Sequence, residues 1–265
     1  MSIPGGRKTL LEARNLTKFY GRVPAVRNVS FTLRPYEVLG YLGPNGSGKS
    51  TTVNMITGLL EPTEGEILFE GRNVKDNPVE YKRRIGYVPE VPHLYPFLSG
   101  LEYLQLIGRL RSLPPQTLDK RIEDLLMLFS MHEDRHVAIS SYSKGMRQKI
   151  LISAALLHNP DLIIFDEPLS GLDVTSALIF RNFVKALSSE GKIILYSSHV
   201  LEVVEKVCSN VIILNKGAIV ANDSMERLRT MMSLPNLEEI FGQLVQQEDT
   251  ERVASDIVEL MKQPL

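Results

Sequence analysis

A lysine and a hydroxyl residue behind a run of glycines, and two adjacent carboxylates behind a run of apolar residues, are the side chains of this sequence best suited to phosphate chemistry. The first group is Gly43-Pro44-Asn45-Gly46-Ser47-Gly48-Lys49-Ser50-Thr51, which matches the G-x-x-x-x-G-K-[ST] phosphate-loop pattern. Glycines let backbone N–H groups curl around phosphate oxygens. Lys49 can then reach the β- and γ-phosphates of a nucleoside triphosphate, and the Ser50 hydroxyl can ligate Mg²⁺. The second group closes the stretch Asp161-Leu-Ile-Ile-Phe-Asp166-Glu167-Pro168. Asp166 is expected to hold Mg²⁺, and Glu167 to polarise a water for in-line attack on the γ-phosphate. His199 ends Lys192-Ile-Ile-Leu-Tyr-Ser-Ser-His. A histidine there can hydrogen-bond the γ-phosphate and orient the attacking water, although a lone histidine at such a tip is as often structural.

These groups can act together only if the elements carrying them end at one place. A short apolar run at 37–42 reads as a strand, that at 161–166 as a strand buried on both faces whose C-terminal end opens into a crevice, and that at 192–199 as a buried strand ending at His199. A helix over residues 51–58 would turn its positive end towards the same anion. Residues 9–42 alternate as strands with turns at Tyr20-Gly21 and Pro35, an antiparallel start. Further strands are expected at 66–69 and 84–88. From about Leu94 to His158 the pattern becomes helical. Ser99-Gly-Leu-Glu102 is a capping box, and Leu118, Ile122, Leu125, Leu126 and Phe129 recur at helical spacing after Pro114-Pro115. Beyond Glu167 strands and helices alternate, as a parallel sheet requires. Residues from about Met231 onward are helix-prone and acidic, with Leu237-Glu-Glu-Ile-Phe241 among them.

Between the two chemical groups lies Ser141-Tyr-Ser143-Lys144-Gly145-Met146-Arg147-Gln148-Lys149, followed by an apolar helical stretch. Ser143 can open that helix as its N-cap, presenting hydroxyl, backbone N–H groups and helix dipole to an anion; an ordinary capped helix start is the lesser alternative. This segment resembles the signature motif of the ABC ATPases, with Ser143 and Gly145 at the pattern's serine and second glycine. Lys144 replaces the usual first glycine and Met146 the usual glutamine, as in a branch that looks like bacterial drug, antibiotic and sodium exporters.

The resemblance extends across nearly the whole chain in the family's order and implies more. The fold would be α/β, a P-loop ABC ATPase core with a mixed sheet, an antiparallel β subdomain and an inserted helical subdomain at about 94–158. That ATPase domain would span 1–230, with a short helical C-terminal extension over 231–265. Tyr20 would stack on adenine, though it also suits a sheet edge. Ser170-Gly171-Leu172-Asp173 would cross a dimer interface, Asp173 also reading as a helix N-cap. Glu90, ending Ile85-Gly-Tyr-Val-Pro89-Glu90, would stand where the family has a glutamine that reaches Mg²⁺; a carboxylate oxygen can do the same. Tyr36 takes the place of a usual turn glycine. The implied protein is an ATP-hydrolysing transport subunit using ATP and Mg²⁺, seated peripherally on the cytoplasmic face of the membrane. Two copies would sandwich ATP, Ser143 and Gly145 of one completing the site of the other, and closure would pull on a separate transmembrane permease through residues 91–104.

Composition bounds the alternatives. The 265 residues are 43% hydrophobic with a formal net charge of −1, which allows a large core and offers no general nucleic-acid footprint. The single cysteine, Cys208, has no intrachain partner and reads as a buried apolar residue in a reducing compartment. Met1-Ser-Ile-Pro-Gly-Gly-Arg-Lys is too polar and broken for a secretory signal, and no apolar run approaches the roughly 20 residues that span a bilayer. A soluble ABC ATPase acting on ribosomes or DNA is the alternative, but such proteins usually carry paired cassettes or coiled-coil arms. A GTPase is disfavoured because Asn215-Lys216-Gly217 lacks the aspartate of the N-K-x-D motif.

Overall fold

The structure, a computed structural model, describes residues 11–245 and Met261. The N-terminal segment read above for a secretory signal, and most of the 231–265 extension beyond residue 245, lie outside the described residues. Two sheets form the frame. Strands β1 (Leu11–Tyr20), β2 (Val23–Leu33), β4 (Glu64–Phe69) and β5 (Arg72–Asn73) make an antiparallel sheet in the order β2-β1-β4-β5. The second sheet runs β10-β9-β3-β8-β7-β6, from β3 (Val38–Leu42), β6 (Ile85–Val88), β7 (Leu162–Asp166), β8 (Ile193–Ser197), β9 (Asn210–Asn215) and β10 (Ala218–Ser224). Its pairings are parallel except that of β10 with β9.

The difference between the sheets is written in their residues. Every side chain of β3, β7 and β8 is buried, as continuous apolar runs with helices or a second sheet on both faces demand. This corrects one expectation: β3 does not continue the antiparallel start but leaves it to pair in parallel between β8 and β9, because Val38-Leu-Gly-Tyr-Leu has no polar face to give to solvent. The turn before it places Tyr36 at φ 65°, so a tyrosine takes the left-handed conformation. Two short elements, β5 and helix α2 (Pro78–Arg83), went unforeseen. Asn77 accepts from the Glu80 N–H ahead of Pro78, a cap and N1 proline that could have announced α2.

One core cluster lies between the antiparallel sheet, α1 (Lys49–Ile56) and one face of the second sheet; it includes Leu16, Phe31, Tyr41, Ile56 and Ile164. The other face of that sheet is covered by α6 (Val174–Ser189), α7 (Leu201–Val207), α8 (Met225–Met232) and α9 (Leu237–Val245), with Leu237 and Ile240 fully buried. The boundary expected near residue 231 therefore falls inside α8, and α9 is packed on the same core. A third cluster joins α3 (Gly100–Leu110), α4 (Pro115–Leu128) and α5 (Lys144–Leu156) through Leu104, Leu118, Ile122, Leu126 and Ile150. Ser99 starts α3 with the complete capping box.

Candidate functional site

The parallel strands β3, β6, β7 and β8 run in one direction, so their C-terminal ends meet at one edge of the sheet. From β3 the chain enters the glycine loop, from β6 it passes Pro89 to Glu90, from β7 it ends on Asp166 and turns to Glu167, and from β8 it continues through Ser198 to His199. Asn45, Gly46, Gly48, Lys49, Ser50, Thr51, Glu90, Asp166, Glu167 and His199 line one cleft of about 280 Å³, with Ala25 of β2. Gly43, Pro44 and Asn45 continue the wall into an adjoining cavity of about 360 Å³ that shares Glu90 and His199 and is closed by Leu201 and Phe241. Ser47 is buried within the loop.

The loop is shaped by close contact. Gly48 sits at φ 102° with its Cα against Ala25, where an added Cβ would stand 2.5 Å from the Ala25 carbonyl oxygen; any side chain would break this corner. The next residue begins α1, two residues earlier than the sequence suggested. Lys49 Nζ donates to the carbonyls of Gly43 at 2.6 Å and Pro44 at 3.1 Å. Burial holds its ammonium below the usual lysine value, against the pull of Glu167, Asp166 and Glu90. The amine thus spans the mouth of the loop, where an anion can draw it.

The carboxylates have different surroundings. Asp166 is buried, which pushes its pKa up, and Glu90 and Glu167 push it the same way while Lys49 opposes them. Glu167 occupies the left-handed region at φ 49°, which costs a non-glycine residue about 1 kcal/mol. Its backbone N–H donates to Ser197 O at 2.9 Å. Its Oε1 accepts from the His199 N–H at 2.7 Å and lies 2.7 Å from His199 Nδ1, while Ser198 Oγ donates to Oε2 at 3.0 Å. With an ionised Glu167, His199 Nδ1 carries the proton in this contact and Nε2 remains available to the cleft. Sequence reasoning set Glu167 and His199 in the site but missed this link, and it missed Ala25 and Ser198; the hydroxyl pair Ser197-Ser198 directly before His199 was the available signal.

Ser50, Asp166 and Glu90 offer hard oxygen donors, and the mutual strain of neighbouring carboxylates favours a cation among them, so the donor set fits Mg²⁺. Among the described residues no group of three or more His, Cys, Asp or Glu side chains could hold a metal unaided.

Three of the sequence candidates lie apart from this cleft. Tyr20 ends β1, half exposed, and is not among the cleft walls. Ser143 caps α5, its Oγ accepting the Met146 N–H at 3.2 Å, and Gly145 follows on the same turn; neither lines the cleft.

A phosphate loop feeding a helix, acidic residues on the neighbouring strand tips and a parallel sheet backed by an antiparallel one define a nucleoside-triphosphatase of the P-loop class. The model of the family described as ABC transporter matches residues 26–170, and the chain belongs to that family. It is 43% identical to the ABC transporter ATP-binding protein NatA of Bacillus subtilis over 83% of this chain and 89% of that protein. It is 31% identical to the Nod factor export ATP-binding protein I of Cupriavidus metallidurans over 88% of this chain and 77% of that one. Among solved structures, an ATP-binding subunit of an ABC transporter superposes with a TM-score of 0.84 at 33% identity, covering 89% of this chain and 99% of the other. A dimeric ATP-binding cassette in a post-hydrolysis state, bound to ADP and Pi, superposes with 0.76 at 26% identity, covering 82% and 99%. The protein is an ATP-binding subunit of an ABC transporter and an ATPase. Among the described residues no helix is long and apolar enough to cross a membrane.

Proposed function

We propose that this chain hydrolyses MgATP in a sandwich of two copies and drives an exporter through a separate transmembrane permease at the cytoplasmic face of the membrane. The observation that carries the reading is a division within the chain. The strand tips bring Lys49, Ser50, Glu90, Asp166, Glu167 and His199 to one cleft, while Ser143 and Gly145 lie outside it. A second copy, related by a two-fold axis, would place each signature turn over the other's phosphate loop. The export direction is supported by the relative named for Nod factor export.

In this reading the loop amides and Lys49 bind the β- and γ-phosphates, and Tyr20 stacks on adenine. Ser50, Asp166 and Glu90 would hold Mg²⁺, which neutralises phosphate charge when bound. Glu167, held by Ser198 and the His199 amide, takes a proton from water as its oxygen bonds to the γ-phosphorus. The bond from that phosphorus to the β–γ bridging oxygen breaks, giving ADP and Pi. His199 donates to a γ-phosphate oxygen from Nε2, which must carry a proton for this contact. Hydrolysis removes the link between the copies, and they part. The exposed apolar residues Val91, Tyr95 and Phe97, the last 92% exposed, suit contact with the permease. Leu104 is buried, so within 91–104 that surface belongs to the first half. We also read the ATPase unit as 1–230, with the helical insertion at about 94–158 and the extension at 231–265 seated on it through α9.

Measuring the mass of the full chain against MgATP concentration tests this. A monomer without nucleotide that becomes a dimer as its sites fill is expected, because each site is half built. A stable dimer without nucleotide would overturn it.

A further inference from the structure

The signature turn and the loop after Glu167 interlock within one chain. An added Cβ on Gly145 would stand 2.8 Å from the Gly171 carbonyl oxygen, so the missing side chain admits that carbonyl. Gly171 in turn sits at φ 84°, and an added Cβ there would lie 2.6 Å from Lys144 Cγ. The stem of Lys144 therefore lies across Gly171, and its Nζ donates to Ser170 Oγ at 2.5 Å. The same loop is tied at both ends. The Ser170 N–H donates to the Glu167 carbonyl at 3.2 Å, and Asp173 caps α6 by accepting from the Ser176 N–H at 2.9 Å. A continuous set of contacts thus runs from the residue beside Ser143, through Lys144 and Ser170, to the backbone of Glu167.

We propose that Lys144 is a positioning residue that couples the signature turn to the Glu167 loop, so that nucleotide engaged at Ser143 in one composite site steadies the base of the other. This rests on the two-copy reading above. A glycine at position 144 would have neither the stem that covers Gly171 nor the ammonium that reaches Ser170. Both halves of the link come from the one side chain. Its target is the orientation of a loop, not the phosphate, so its removal reaches turnover and the communication between sites while sparing the affinity of a single copy for ATP.

Lys144→Met keeps the stem and removes the donor, Lys144→Arg keeps a donor, and Ser170→Ala removes the acceptor. For each, and for the Lys144→Met/Ser170→Ala double variant, the full chain is assayed for ATP affinity as a monomer and for kcat, KM and Hill coefficient with MgATP. Losing one charge-assisted hydrogen bond should lower kcat by about fivefold and bring the Hill coefficient towards one, with monomer affinity unchanged. Lys144→Met, Ser170→Ala and the double variant should match, because the two residues make one contact. Lys144→Arg should recover most of the loss. Multiplying losses in the double variant, or a Lys144→Met protein indistinguishable from the parent, would overturn the proposal. A parent protein that neither dimerises with MgATP nor turns it over would sink the two-copy reading itself, a result separable from a parent that dimerises and variants that match it.

Discussion

The phosphate cleft and the signature turn are built on opposite plans. The cleft is assembled from four strand tips and one loop, so its groups crowd each other: burial lowers Lys49, raises Asp166, and Glu167 is locked by hydrogen bonds from Ser198 and His199. The signature turn has one helix N-terminus, one cap and an exposed lysine. Its Ser143 hydroxyl accepts from the Met146 N–H. The cleft gathers its groups within one copy, whereas in the two-copy reading proposed above the turn acts on a phosphate that another molecule presents. The contrast locates where chemistry ends and assembly begins.

The sharpest way to break it is to damage each region in a different copy. Glu167→Gln keeps the shape but not the base, and should cut turnover by at least about 100-fold while ATP still binds. Ser143→Ala removes the cap and the hydroxyl offered across the interface, and is also expected to be poorly active. Mixed together, the two inactive proteins should recover up to about a quarter of the parent rate: random pairing makes half of the dimers mixed, each with one whole site. No recovery on mixing would mean that Ser143 acts within its own copy, and the division between the regions would fall.

A smaller effect is expected at Glu90, on the border between cleft and apolar surface. Glu90→Gln retains an oxygen that can face Mg²⁺, so basal hydrolysis should stay within roughly tenfold of the parent. Glu90→Ala should chiefly lose the stimulation given by the permease in lipid. ATPase rates of both variants, with and without that partner, make the comparison. If Glu90→Gln alone were as inactive as Glu167→Gln, the roles assigned to the two carboxylates would have to be exchanged.

Legibility followed the same contrast. The cleft residues could be read from the sequence because phosphate chemistry demands fixed spacings, and because fully buried strands leave continuous apolar runs such as Leu162–Asp166. The caps at Ser99, Ser143 and Asp173 were legible for a similar local reason. What depended on contact between distant segments was not: Ala25 against Gly48, Ser198 on Glu167, Lys144 across Gly171. The parallel placement of β3 also escaped, since its neighbours β8 and β9 lie more than 150 residues away in sequence.

The two regions are joined physically by α5, which begins at the signature turn and ends beside β6, the strand that leads to Glu90. At that end His158 Nε2 lies 2.8 Å from the Ile85 carbonyl oxygen, and the ring donates there as a neutral imidazole. Burial, then Arg111, pushes its pKa down to about 4, although the Ile85 contact pulls the other way. The unfolded chain takes up this proton near pH 6.5, so between about 6.5 and 4 it binds more protons than the folded chain. The contribution of His158 to stability is therefore whole above pH 6.5 and is lost as the pH falls towards 4. His158→Gln keeps an N–H for Ile85 and does not titrate. Melting temperatures of the two proteins should differ least in the acid range and most at neutral pH if the imidazole packs better, with the gap shrinking by a few degrees between pH 7.5 and 4.5. A gap that stays constant across that range would show that the ring is not held neutral, and that the joint between signature turn and cleft does not depend on its protonation.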